Sequence, residues 1–228
     1  MNIPKRTAIY LSIFVVVGYW IYQCFTAQSH AIPPADFSVF VSRIVISKLI
    51  QLSAILLLLK LEGANWSEMG VTAKDWKKHV LTGLLYGLIL FVLLNVGLSS
   101  VLNSIFPNSS GSASPILMYF NNLQNLVIWL VIGILGGGVV EELLRIFVLT
   151  RFEKAFRGPG LYLALICSSV VFGFGHLYQG PGTAISTGVS GLVMGIIFIR
   201  RRSALEVITV HAFSDVLAIL AAYQLAGH

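Results

Sequence analysis

The chain contains a succession of apolar stretches, each of about the length that crosses a lipid bilayer. A helical span needs about 20 mostly apolar residues. Hydrophobic residues make up 57% of this chain and charged residues only 11%. A soluble domain carries about 25% charged residues, so this chain lacks the polar surface that would keep it dissolved. The sequence therefore predicts an all-α, multi-pass protein of the cell membrane.

About seven spans are predicted, separated by loops rich in Gly, Pro, Asn and Ser. Their expected ranges are Ala8–Ala27, Phe37–Leu59, His79–Ile105, Leu123–Thr150, Gly160–Tyr178, Gly182–Ile199 and Leu205–Leu225. No internal repeat is visible. We expect a single membrane domain over residues 1–228, with two N-terminal spans in residues 1–60 and the functional core in residues 79–226.

The basic residues predict the orientation of these spans. With seven spans, 12 of the 15 Lys and Arg residues fall on one side: Lys5, Arg6, Lys60, Lys74, Lys77, Lys78, Arg151, Lys154, Arg157, Arg200, Arg201 and Arg202. The positive-inside rule then places the N-terminus in the cytoplasm and the C-terminus outside. Because the net charge of +6 comes from short loops at span ends, it does not indicate nucleic-acid binding.

Few ionisable residues lie inside the predicted spans. Of the nine acids, only Glu141, Glu142 and Asp215 do so, and His176 and His211 are the only intramembrane histidines. A charge at bilayer depth costs at least about 2.5–3.5 kcal/mol on insertion scales, so such residues mark functional sites by default. These five side chains are therefore the candidate site.

Helical spacing groups the candidates. Arg145 lies four residues after Glu141 and three after Glu142, so it can pair with either carboxylate. His211 and Asp215 are four apart, which lets the acid orient the imidazole. The structural alternatives are a packing histidine and an internal Glu142–Arg145 ion pair. Together, the carboxylates and imidazoles suit general acid–base chemistry on water.

Two further features of the spans have simpler interpretations. The tract Gly136–Gly138 removes side chains just before the paired glutamates, which favours close helix contact there. Arg43 and Lys48, on the second span, are expected to snorkel or to pair structurally, and neither is assigned a functional role.

Three motifs resemble those of the CAAX-protease and bacteriocin-processing family, also called the Abi family. They are a Glu-Glu helix at Glu141–Arg145, a Phe-x-x-x-His helix end at Phe172–His176, and a His-x-x-x-Asp helix at His211–Asp215. The stretch Trp66–Val71 resembles the loop before the family's core. The resemblance runs from Trp66 to the C-terminus. One register differs, because the family usually has three residues between the second Glu and the Arg, whereas this chain has two. That shift moves Arg145 by about 100° around the helix.

The resemblance implies an intramembrane endopeptidase that hydrolyses a peptide bond with activated water. Glu141 would be the general base and His176 would hold the water. His211 would donate to the oxyanion and be oriented by Asp215, with Glu142 and Arg145 in support. The implied partners are membrane lipids and a peptide or protein substrate, with lipid-modified and membrane-embedded substrates both included.

Metal dependence and two rival functions stay open. Zinc accepts His and carboxylate ligands, but the His-Glu-x-x-His signature is absent, so the sequence assigns no metal ligand and no certain cofactor. A proton-coupled transporter would also use intramembrane acids and histidines, although no inverted repeat is visible. A non-catalytic immunity or binding member of the same family is the other alternative.

Overall fold

The computed structural model describes residues 4–26, 35–106 and 115–227, which form helices and contain no strand. The predicted end of the first span at Ala27 lies outside these residues. The α-helices are α1 Lys5–Thr26, α2 Phe37–Glu62, α3 Trp76–Phe91, α4 Ser99–Ile105, α5 Leu123–Val131, α6 Glu142–Phe174, α7 Pro181–Arg201 and α8 Ala204–Leu225. Two π-helical segments, Val92–Leu98 and Ile132–Glu141, continue α3 into α4 and α5 into α6. Short 3₁₀ turns cover Trp66–Met69, Pro115–Tyr119 and Leu177–Gln179.

Within the described residues, six continuous helices are long and apolar enough to cross a membrane. The all-α, multi-pass fold predicted from the sequence is thereby confirmed. Leu123–Phe174 is a single stretch of 52 residues, although two spans were predicted there. The count of seven and the cytoplasmic N-terminus stay predictions.

The 52-residue stretch folds back on itself at Arg157. Arg157 has φ 59° and ψ −149°, which is not helical, and Pro159 follows it. The Arg145 guanidinium lies 4.4 Å from the centre of the Phe172 ring, whereas 27 residues of straight helix would separate the two by about 40 Å. The stretch therefore consists of two antiparallel arms. The first arm continues past the predicted end at Thr150 as far as the turn.

A buried ion pair joins the first two helices to α6. The Glu62 carboxylate accepts from Arg151 Nε at 2.9 Å and from the Ser12 hydroxyl at 2.6 Å. Arg151 is 1% exposed and its guanidinium lies over the Phe147 ring. The sequence had placed Glu62 and Arg151 in loops or at span ends. In the structure they join α1, α2 and α6. This contact lies near the basic end of the bundle, which is the end that carries most of the Lys and Arg residues.

Close helix contact positions α8 against α3. A Cβ on Gly83 would lie 2.6 Å from Thr209 Cβ and 2.8 Å from the Glu206 carbonyl oxygen, so only glycine permits this approach. The fully buried Glu206 carboxylate bonds His79 Nδ1 at 2.8 Å and Arg201 Nε at 2.9 Å. These contacts hold the helix that carries His211 and Asp215.

Candidate active site

Glu141 lies where the π-helical segment ends and α6 begins. π-helical turns are rare and often occur at functional sites. A Cβ on Gly137 would lie 2.5 Å from Asp215 Oδ2, and one on Gly138 would lie 2.6 Å from Ala212 Cβ. The glycine tract therefore lets α8 approach the backbone beside Glu141, as the sequence suggested.

Three carboxylates surround the His211 imidazole. Its Nδ1 lies 2.8 Å from Glu142 Oε1, a hydrogen-bonding distance. Its Nε2 lies 3.5 Å from Asp215 Oδ2 and 3.8 Å from Glu141 Oε2. Because a carboxylate accepts the Nδ1–H, Glu142 fixes the ring orientation, and Nε2 faces the other two acids.

Arg145 ties the paired glutamates to α7 and to the second arm of α6. Its Nη1 donates to the Gly191 carbonyl oxygen at 2.7 Å, and its Nη2 lies 3.3 Å from Glu142 Oε1. The guanidinium also stacks on Phe172. Glu142 is fully buried and Arg145 is 5% exposed, so the charges compensate each other away from water.

His176 lies at about the depth of Glu141, because the two residues are at similar distances from the turn at Arg157, on opposite arms. Along the helices, Glu141 is about 24 Å and His176 about 28 Å from Arg157. His176 Nδ1 bonds the Phe172 carbonyl oxygen at 2.8 Å. The Phe172 ring lies 4.8 Å from the His176 ring and 5.9 Å from the His211 ring. The ring of Phe172 therefore lies between the two imidazoles.

One cavity of about 1150 Å³ brings the candidates together; its lining includes Glu141, Arg145, His176, His211 and Asp215. Asp215 has the most exposed of the acidic side chains there, at 34%, whereas Glu141 is 14% exposed. Glu142 does not line the cavity and reaches it only through His211.

Lys48 is the site residue that sequence reasoning missed. Its ammonium group donates to Glu141 Oε1, and its side chain lines the cavity. The sequence assigned Lys48 no role and expected it to snorkel or to pair structurally. One signal pointed otherwise: Lys48 lies about 16 Å from the start of α2 and about 21 Å from its end, which is too deep for a lysine to snorkel easily.

The described residues contain no group of three or more His, Cys, Asp or Glu side chains arranged to hold a metal ion. Several donor atoms of the site already have protein partners: Glu141 Oε1 bonds Lys48, His211 Nδ1 bonds Glu142, and His176 Nδ1 bonds a backbone carbonyl. In this geometry, the described donor set is not arranged as a zinc site.

Comparison with known proteins identifies one match. The family model described as type II CAAX prenyl endopeptidase Rce1-like matches residues 123–217. No curated protein and no solved structure matches the chain. The matched segment holds all three motifs and most of the cavity's polar groups, and it supports a protease-like function. The family resemblance found in the motifs is confirmed: residues 123–217 are similar to the Rce1-like type II CAAX prenyl endopeptidases, a family of membrane-embedded proteases.

Proposed function

We propose that this protein is an intramembrane endopeptidase that hydrolyses a peptide bond with water activated by Glu141. The observation that carries the proposal is the convergence of Glu141, His176, His211 and Asp215 on one cavity. Acids and imidazoles drawn from separate helices into one cavity are the groups that acid–base hydrolysis requires.

Glu141 suits the role of general base. Its Oε1 is held by Lys48, and its Oε2 faces the His211 ring across 3.8 Å. In the proposed reaction, Glu141 takes a proton from water as the oxygen attacks the scissile carbonyl carbon. The C–N bond then breaks, and Glu141 returns the proton to the leaving amine. Positioned acid–base catalysis of this kind contributes about 10²–10⁴-fold in rate.

His211 suits the role of oxyanion donor. In the doubly protonated ring, which the three surrounding carboxylates favour, Nδ1–H is held by Glu142 and Nε2–H can donate to the oxygen that becomes negative as water attacks. One such donor contributes about 2.7–4 kcal/mol to transition-state stabilisation. The sequence assigned the orientation of His211 to Asp215. The shorter contact to Glu142, 2.8 Å against 3.5 Å, gives better support to Glu142 in that role.

His176 suits the role of a water-holding residue. A carbonyl oxygen accepts only from a ring N–H, so the bond to Phe172 places the proton on Nδ1. In the neutral ring, Nε2 is then an acceptor for a hydrogen of the attacking water. Arg145 stabilises the positions of His211 and His176 indirectly, because it contacts both Glu142 and the Phe172 ring.

The apolar part of the cavity wall supports a peptide substrate with apolar side chains. Aromatic and aliphatic side chains such as Tyr19, Phe40, Ile44 and Leu94 form part of its wall. The proposed substrate is accordingly a peptide or protein segment that reaches the site from the membrane, and a lipid-modified segment is included in that class.

The deciding experiment compares peptide cleavage by the wild-type protein and by Glu141→Gln in detergent micelles. The substrates are a library of fluorogenic peptides, each prepared with and without a thioether-linked prenyl chain. Gln keeps the size of the side chain but cannot take the proton. We expect a loss of about 10²–10⁴-fold. The matched control is Glu153→Gln, since Glu153 lies on the same helix outside the cavity and pairs with Arg202. Repeating the wild-type assay with a chelator tests metal dependence.

Near-wild-type cleavage by Glu141→Gln contradicts the mechanism. If the folded wild type cuts no member of the library, and Glu141→Gln abolishes proton-coupled transport in vesicles, the transporter alternative replaces the peptidase.

A further inference from the structure

We propose that the cavity receives its substrate from the membrane face opposite the basic loops, so that the enzyme acts on peptide segments on the non-cytoplasmic side. This proposal deepens the function proposed above. It depends on that function for cleavage, whereas access to the cavity can be measured without any cleavage.

The basic end of the bundle is filled. Its buried core includes Leu58, Leu59, Phe147, Leu149, Phe152, Met194, Phe198 and Val207, none of which is more than 6% exposed. The ion pair between Glu62 and Arg151 lies at this end as well. A packed interior of this kind obstructs the passage of a peptide through the core at this end.

The cavity occupies the other part of the bundle. The depth at which the lining begins can be counted along each helix from its basic end. The first lining residue is His211 on α8, at about 10 Å, and Val148 on α6, at about 14 Å from Arg157. On α7 it is Ser190, at about 16 Å. At the opposite end it reaches the last residues of two helices, Thr26 and Leu225. The cavity therefore extends from the site towards the end that lacks basic loops.

Charge identifies the two faces. The packed end carries 12 of the 15 Lys and Arg residues, in loops and in the adjoining helix ends, whereas residues 27–36, 106–122 and 175–180 contain none. Such an asymmetry places the packed end in the cytoplasm. The substrate region consequently faces the outside, and a substrate must be a segment that was translocated or is anchored at the outer leaflet.

Large, exposed apolar residues also belong to the cavity wall, and they indicate the chemistry of that segment. Tyr22, Ile46 and Ile50 line the cavity and are 59%, 58% and 63% exposed. The same wall contains Arg43 and Lys48. The substrate that fits is an apolar peptide segment close to the lipid.

Single-cysteine labelling tests access. Cys24 and Cys167, which do not line the cavity, are replaced by Ser, and Ser190→Cys is introduced into the wall. The probe is a small, charged thiosulfonate reagent that does not cross membranes, applied to right-side-out and to inside-out vesicles. Control variants are Lys77→Cys at the basic end and the half-exposed Met118→Cys at the opposite end.

We expect Ser190→Cys and Met118→Cys to react from the outside and Lys77→Cys to react from the inside. Reaction of Ser190→Cys from the inner face alone, or from neither face, overturns the proposal, as does reaction of Lys77→Cys from the outside. Failure of peptide cleavage would contradict the peptidase and leave this labelling pattern unchanged.

A separate observation, the contact between Lys48 and Glu141, carries a second inference. We infer that Lys48 is a positioning residue that keeps Glu141 ionised and directs its second oxygen towards His211. Lys48 lies on α2, outside the segment that matches the family. Its stem packs on the π-helical segment, 3.6 Å from the position of a Cβ on Gly136. Glu141 is the only carboxylate that its ammonium group contacts among the described residues.

Charged and titratable groups face Glu141 from several helices. His211 and Asp215 face it from α8, His176 lines the same cavity after α6, and Glu142 and Arg145 follow it on its own helix. Two of these groups are carboxylates, which disfavour a further negative charge nearby. The Lys48 ammonium offsets them and holds the base in its reactive form.

Lys48→Met removes the charge and keeps the length, whereas Lys48→Arg keeps the charge. With Lys48→Met we expect the acid limb of the pH–rate profile to move up by about 1–3 pH units, and Lys48→Arg should restore most of the wild-type profile. Dicyclohexylcarbodiimide, which reacts with protonated carboxyl groups, provides a readout without cleavage. Peptide mapping should show greater modification of Glu141 in Lys48→Met than in the wild type. Equal modification of the two proteins overturns the inference.

Discussion

Gly138→Ala should damage the site through a single added methyl group. The new Cβ would lie 2.6 Å from Ala212 Cβ, 3.0 Å from its Cα and 3.1 Å from its amide nitrogen. Carbon atoms pack at about 3.5–4.0 Å, so α8 must move away by roughly 1 Å. Because the obstruction is largely backbone, no side-chain rotation relieves it. Overpacking of this kind costs about 1–3 kcal/mol, offset in part by the gain of about 0.5–1 kcal/mol that Ala brings to a helix.

The effect on activity should exceed the effect on stability. Ala212 is adjacent to His211, whose Nδ1 lies 2.8 Å from Glu142 on the other side of the contact. A displacement of about 1 Å in a catalytic arrangement can cost 10²-fold in rate. We therefore expect Gly138→Ala to unfold at a slightly lower temperature and to lose roughly 10²-fold in peptide cleavage, measured in the same micelles.

Gly136→Ala is the matched control, two residues earlier in the same tract. Its Cβ would meet nothing nearer than Lys48 Cγ at 3.6 Å, which is an ordinary contact with a flexible side chain. Stability and cleavage should stay close to the wild type. If the Gly136 and Gly138 variants behave alike in both assays, the close approach of α8 to the glutamate helix is not what positions the site.

Two further substitutions test the packing around the site. Glu62→Gln should lower the free energy of unfolding by about 3–5 kcal/mol, because it leaves the Arg151 charge buried without its partner. In thermal unfolding, the double variant Glu62→Leu with Arg151→Met should recover most of that loss. If the double variant recovers none of the loss, the ion-pair explanation is contradicted. Arg145→Lys should lower stability by about 1–3 kcal/mol and reduce cleavage, since Lys cannot both stack on Phe172 and bond the Gly191 carbonyl and Glu142. Unchanged unfolding and cleavage in the Lys variant would show that these contacts contribute little.

The spans and the three motifs were readable from the sequence for a clear reason. In an apolar chain, a carboxylate or an imidazole inside a span is easily recognised. Its insertion into the membrane costs free energy, so such residues usually have a functional role. Glu141, Glu142, His211 and Asp215 were therefore selected as candidates without knowledge of any contact. The glycine tract was equally visible, since Gly136–Gly138 interrupts a run of large side chains.

The partners of other residues could not be predicted, because contacts between distant residues are not written in the local sequence. Glu62 and Glu206 lie near helix ends, where a charge is usually solvated, yet both are buried and paired with residues far along the chain. Lys48 was expected to be structural, because its partner lies 93 residues away. The sequence also did not show the π-helical segment before Glu141, since a π turn keeps the same apolar composition as an α-helix.

By itself, the sequence determined that this protein is a multi-pass helical membrane protein with acids and imidazoles in three motifs, because composition and period depend only on local order. The tertiary structure alone decided which of these groups meet. The turn at Arg157 brings His176 to the depth of Glu141, the glycine tract admits α8, and Lys48 reaches Glu141 from a helix outside the motifs. Such contacts depend on how separate helices pack, and packing is a property of the whole bundle.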